Sequence, residues 1–171
     1  DASSDNNFDA LADQTVTVTT TDNETAAYTK SETARTVTEA GGTATFTLVL
    51  DAQPATDVVL GVVSADTGEV TVSAAAFTFT NGNWDTPQTV TLTGVNDAIV
   101  DTDTTTLVTI SVTDGSSNDE FDALADQTIT VTTTDNETAG YTKSQTTRTV
   151  AETGTTATFT LVLDAQPVTD V

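Results

Sequence analysis

Oxygen-donor side chains collect in four places, each at the end of a segment in which apolar and polar residues alternate. ValAsnAspAlaIleValAspThrAsp (95–103) offers Asn96, Asp97, Asp101 and Asp103. ThrThrAspAsnGlu (133–137) offers Asp135, Asn136 and Glu137. Glu39 closes an earlier segment, and Asp66 sits in the turn SerAlaAspThrGly (64–68). Carboxylates gathered this closely repel one another, each pair by about 0.8 kcal/mol at ~5 Å even in water. A hard cation reverses the sign, and Ca²⁺ accepts six to eight such oxygens in flexible geometry, whereas Mg²⁺ demands a tighter octahedron. Zinc prefers His and Cys, and the chain has neither. For any one of these residues the competing reading is a turn, because Asp and Asn hydrogen-bond their own backbone there.

The same absences exclude other chemistry. Without His or Cys there is no Ser-His-Asp or Cys-His arrangement, and no phosphate-cradling glycine loop is present. With Trp84 the only tryptophan, nothing marks an aromatic sugar cleft for a carboxylate pair, so no enzyme is expected; Trp84 itself reads as a cap on the core beside a turn. A net charge of −22 from 26 acids and 4 bases repels nucleic acid and anionic membrane and favours cations. There is no run of about 18 apolar residues for a membrane span, and no EF-hand loop.

The elements that would position these acids are strands. Ala44, Phe46, Leu48 and Leu50 alternate with threonines, as do Phe77 with Phe79 and Ile129 with Val131, and threonine fills 44 of the 171 positions. Turn clusters at 40–42, 51–54, 66–68, 81–83 and 114–117 divide strands predicted at 27–38, 43–51, 56–64, 69–73, 75–80, 88–94, 104–113 and 126–134. Seven or eight such strands predict an all-β, immunoglobulin-like antiparallel sandwich, with a closed barrel as the competitor. In such a sandwich the first and last strands can run parallel and finish at one end, which would bring Glu39 toward Asp135 and, with the usual strand order, open the loops of Asp66 and Asp97–Asp103 toward the same tip.

Residues 1–58 return as residues 114–171, an offset of 113, with 46 of the 58 aligned pairs identical. A period this long matches a small domain. The chain therefore reads as tandem repeats: 1–25 as the last strand of a preceding module, 26–137 as one complete module, and 138–171 as the first two strands of the next. Over 26–138, 17 acids and 2 bases give −15 per repeat. Tyr28 and Tyr141 occupy equivalent places at module starts and are expected to pack at the junctions. The linker ThrThrThrAspAsnGluThrAla (19–26 and 132–139) has no Gly/Ser or Pro run, so successive modules should sit close together.

ThrValThrGluAlaGlyGlyThrAlaThrPheThrLeu (36–48), the 64–68 turn, PheThrPheThrAsnGlyAsnTrpAspThrProGlnThrValThrLeuThrGly (77–94), the 97–103 loop and the closing ThrThrAspAsnGlu together resemble the Calx-β module of large bacterial secreted or surface-attached proteins, including adhesins. The resemblance implies a calcium-binding sandwich with ligand roles for Glu39, Asp66, Asp97, Asp101, Asp103, Asp135 and Glu137. Asp22, Glu24 and Glu152 would be the matching pieces of neighbouring sites. Asn96 and Asn136 stand where the family often carries acids, implying fewer ions or weaker binding. The function so implied is a structural module of a long extracellular or cell-surface shaft, rigidified by calcium at its junctions, with neighbouring copies in cis as partners. The alternatives are a multivalent receptor- or glycan-binding unit, or a subunit self-associating into a filament.

Overall fold

In a computed structural model, described for residues 7, 8 and 11–171, the alternating segments form two facing sheets. The first contains β1 (Tyr28–Lys30), β3 (Thr43–Leu50), β7 (Gln88–Gly94) and β5 (Val70–Val72), in the order β1-β3-β7-β5. The second orders β2 (Ala34–Thr38), β10 (Gln127–Thr134), β9 (Thr104–Val112), β4 (Val58–Ser64) and β6 (Ala76–Phe79) as β2-β10-β9-β4-β6. Both sheets end in open edges, so the module is a sandwich and not a barrel. Its core is the inward half of each alternation: Phe46, Leu48 and Leu50 from β3, Val90 and Leu92 from β7, Leu60 from β4, Ile110 from β9 and Ile129 from β10. Each such side chain contributes about 1.5–3 kcal/mol by leaving water.

The strand predicted over 27–38 is broken in two. β1 pairs antiparallel with β3, Tyr28 opposite Leu50, whereas β2 crosses to the other sheet and pairs parallel with β10, Thr38 opposite Thr134. Parity demands the break: Tyr28 and Val37 are both buried yet an odd number of residues apart, so one unbroken strand would face them to opposite sides. Tyr28 belongs to the core and not to a junction surface, as its hydroxyl donates to the carbonyls of Ile110 (3.0 Å) and Ala125 (3.3 Å). Tyr141 is 66% exposed. Trp84 packs against the core from the 80–87 turn region.

Of the N-terminal piece, residues 1–6, 9 and 10 lie outside the described residues, and 11–25 form no strand. Val16 and Val18 are exposed where their repeat counterparts Ile129 and Val131 are buried, since β10 is a strand by virtue of having β9 and β2 beside it. Beyond the sandwich, β11 (Tyr141–Lys143) pairs with β12 (Leu161–Leu163), Tyr141 opposite Leu163. β13 (Gln166–Pro167) pairs parallel with β8 (Ile99–Val100).

Candidate metal centre

Four connections meet at one end of the sandwich because β2 and β10 run parallel and stop together. The β2–β3 turn brings Glu39, whose backbone N–H donates to Thr134 O at 3.2 Å. The β4–β5 turn brings Asp66 and Glu69, the β7–β9 connection brings Asp97, Asp101 and Asp103, and the chain leaving β10 brings Asp135 and Glu137. The layers approach closely here. A side chain at Gly94 would run into the backbone of Thr38, and its N–H donates to Gly42 O at 2.9 Å.

Six carboxylates converge as three triplets: Glu39, Asp97 and Glu137; Glu39, Asp101 and Asp135; and Glu69, Asp97 and Asp101. Within each, one oxygen per residue lies within 4.8 Å of the others. Oxygens on one calcium stand at most about twice its 2.3–2.6 Å bond length apart, so each triplet fits a single ion. Any two triplets share one residue: Glu39, Asp97 or Asp101.

The tip is acidic without internal compensation. Glu39 is 2% exposed and Glu69 is 9% exposed. Glu39 Oε2, Glu69 Oε2, Asp101 Oδ1 and Glu137 Oε2 are buried with no hydrogen-bond partner. The module's two bases point elsewhere: Lys30 Nζ donates to Glu32 O, and Arg35 donates to Thr45 O and pairs with Glu32 at 2.7 Å. Desolvation, then the Glu137 carboxyl group and the Asp97 charge, push Glu39 up to about 7, against a smaller opposing contribution from the Asn136 backbone N–H. Glu69 is raised by burial, then by Asp101, Asp66 and Asp97. Asp135 is lowered, chiefly by the Glu137 N–H on its Oδ1 (2.8 Å) and also by the Thr102 N–H on its Oδ2 (3.1 Å). That last bond is made from a strained residue: Thr102 has φ 72°, a region unfavourable for a β-branched side chain.

Five of the seven residues anticipated as ligands, Glu39, Asp97, Asp101, Asp135 and Glu137, are thus brought together. Asp103 and Asp66 are not in the triplets. Asp103 Oδ1 accepts the Asp135 N–H (3.3 Å), and Asp66 Oδ1 closes its own turn by accepting the Gly68 N–H (2.8 Å). Turn chemistry wins at Asp66, whereas Asp103 is spent on tying its loop to the chain leaving β10. Glu69 was missed; its only signal is a glutamate placed, like Glu39, at the mouth of a strand. Asp22 and Glu24 lie at the opposite end of the sandwich, lining a cavity of about 180 Å³ with Ala26, Ala52, Gln53, Glu120 and Phe121. Glu152 is exposed in the turn preceding Gly154.

No protein-family model and no curated protein matches the chain. Among solved structures it is similar to SSP-19, an MSP-domain protein like family member in Caenorhabditis elegans, at 20% identity and TM-score 0.44, over 63% of this chain and 99% of that one. It is also similar to the E. coli chaperone DraB, at 8% identity and TM-score 0.49, over 69% of this chain and 60% of DraB. The Pseudomonas aeruginosa CupB2 chaperone aligns at 8% identity and TM-score 0.44, over 62% and 54% of the two chains. At these values none assigns a function to this chain. No helix among the described residues is long and apolar enough to cross a membrane.

Proposed function

We propose that residues 26–137 are a calcium-binding structural module, Calx-β-like, repeated in tandem to build the shaft of a long extracellular or cell-surface protein. The observation that carries this reading is the set of buried, unpartnered carboxylate oxygens on Glu39, Glu69, Asp101 and Glu137, aimed into one tip. Burying ionised carboxylates unpaired is costly, and a divalent ion removes that cost where the protein supplies no cation. The module's −15 charge, its 113-residue sequence repeat and its short linker support the same reading.

Mechanically, the empty tip is self-repelling and its loops splay. Filled, it ties the β2–β3 turn, the β4–β5 turn, the 97–103 loop and the linker carboxylates Asp135 and Glu137 into one unit. The linker then leaves the module at a set angle, and repetition of that geometry makes a stiff rod. Because U lacks the assembled site, each ion stabilises the fold by mass action.

The test is a calorimetric calcium titration of the chain with melts in calcium and in chelator. Each site occupied at a hundredfold excess over Kd adds about 2.7 kcal/mol, worth roughly 10–20 °C in Tm for a domain of this size. Asp97→Asn combined with Asp101→Asn touches all three triplets and should erase most of the shift. An unmoved Tm in the parent chain defeats the calcium reading. A full shift in the double variant defeats the ligand assignment.

A further inference from the structure

Two contacts at opposite ends of the sandwich are made by residues related through the 113-residue offset. Above the acidic tip, β13 lies on β8: Gln166 N–H donates to Ala98 O at 2.7 Å, and Gln166 and Pro167 pair with Ile99 and Val100. Within the segment 141–171 every residue is exposed except Ala165 and Pro167, which are half-buried, Pro167 where it pairs with Val100. At the far end of the sandwich, the cavity that Asp22 and Glu24 line is closed by Ala52, Gln53, Glu120 and Phe121. Under the 113-residue offset Ala165-Gln166-Pro167 is Ala52-Gln53-Pro54, while Asp22 and Glu24 are Asp135 and Glu137.

Superposing the two views completes one contact. We propose that the 52–54 turn and the 118–121 loop of each module form a docking face for the acidic tip of the module before it, the occupant being a further copy of this module joined in cis. The inference rests on the tandem reading above. Two features support it beyond the matching numbering. The turn is entered through the same hydrogen bond in both places: Asp51 N–H donates to Ala27 O at 2.9 Å, and Asp164 N–H donates to Gly140 O at 3.0 Å. The contact also falls on the loop that carries Asp97 and Asp101, so docking and the shape of the tip constrain each other. Backbone pairing gives this junction direction and register without depending on particular side chains. Glu120 of the following module then faces the carboxylates equivalent to Asp135 and Glu137.

The chain contains no cysteine, so a thiol pair can be placed at will. In the full 171-residue chain, Ile99→Cys with Gln166→Cys joins paired residues of the bridge. It should oxidise within one chain roughly tenfold faster than the control pair Ile99→Cys with Gln53→Cys at opposite ends of the sandwich, as expected for two groups held at high effective concentration. In a second arm, Glu120→Lys followed by carbodiimide should yield, by peptide mass mapping, an amide linking position 120 to Asp22 or Glu24. Oxidation no faster than the control, or disulfides only between chains, overturns the docking face, as does a lysine coupled only to its local neighbours. The two proposals fail separately. Cross-links with no calcium shift in Tm remove the ion and keep the docking, whereas a calcium shift without cross-links removes the docking and keeps the ion.

Discussion

The β1–β3 pair and the β11–β12 pair are nearly the same sequence in two settings. Their local bonds coincide: Ser31 N–H on Thr47 O and Ser144 N–H on Thr160 O are both 3.0 Å, and Thr47 N–H on Ser31 Oγ (2.9 Å) matches Thr160 N–H on Ser144 Oγ (3.0 Å). Their burial does not. Phe46 is 1% exposed and Phe159 is 58% exposed; Leu48 is at 0% and Leu161 at 59%. Pairing of these strands is therefore a local property, whereas removal of their apolar faces from water requires β9, β10 and the 118–124 loop, which among the described residues cover only the first copy. A strand pair without a covering sheet is marginal in water, and among the described residues only the first copy is covered.

The largest effect that would break this contrast is in the aromatic core. Phe46→Ala should lower stability by about 3–5 kcal/mol, and Phe159→Ala should leave the denaturant midpoint of the 26–137 sandwich unmoved. Equal losses from both would mean that the second copy is buried in solution.

Titration of the tip comes next. In chelator, Glu39 is raised in the folded state to about 7 from 4.5. The folded chain then binds the extra proton, so this group's contribution is fully present below about 4.5 and is lost as pH rises through about 7. Melts in chelator should show that falling stability, Glu39→Gln should flatten it, and Glu152→Gln at the exposed counterpart should leave it intact. A parent chain whose stability rises over the same range contradicts the buried placement of Glu39.

A smaller effect concerns a pair of differences between the copies. Gly42 and Thr38 are replaced by Thr155 and Ala151. A side chain at Gly42 meets the Thr38 hydroxyl and backbone N, while in the second copy Thr155 Oγ1 accepts the Ala151 N–H at 2.8 Å. Gly42→Thr should cost about 1–3 kcal/mol as an overpacking change, and adding Thr38→Ala should recover part of it. Independent, additive losses in a double-mutant cycle would show that the two positions are uncoupled. Smallest is Tyr28→Phe, which removes the bonds to Ile110 O and Ala125 O for about 0.5–1.5 kcal/mol, against no change for Tyr141→Phe at its exposed copy. A comparable loss from both tyrosines would remove the contrast.

Most strands were legible because alternation is a local signal; β7 spans Gln88–Gly94 as anticipated. The crossing of the first strand between sheets could have been read from the odd spacing of Tyr28 and Val37, but only once both were known to face inward. At the tip, residue type picked out the right loops and could not rank acids within them. Asp66 and Glu69 stand three positions apart, yet Asp66 is spent on its own turn while Glu69 points into the cluster.

The chain's order alone determined the alternation of apolar and polar residues, the repeat and the surplus of negative charge, since each is written in neighbouring residues. Which acids become neighbours was decided by folding. Glu39 meets Glu137 because the chain leaves the first sheet after β1 and β2 runs beside β10, a pairing between opposite ends of the module that no local pattern specifies.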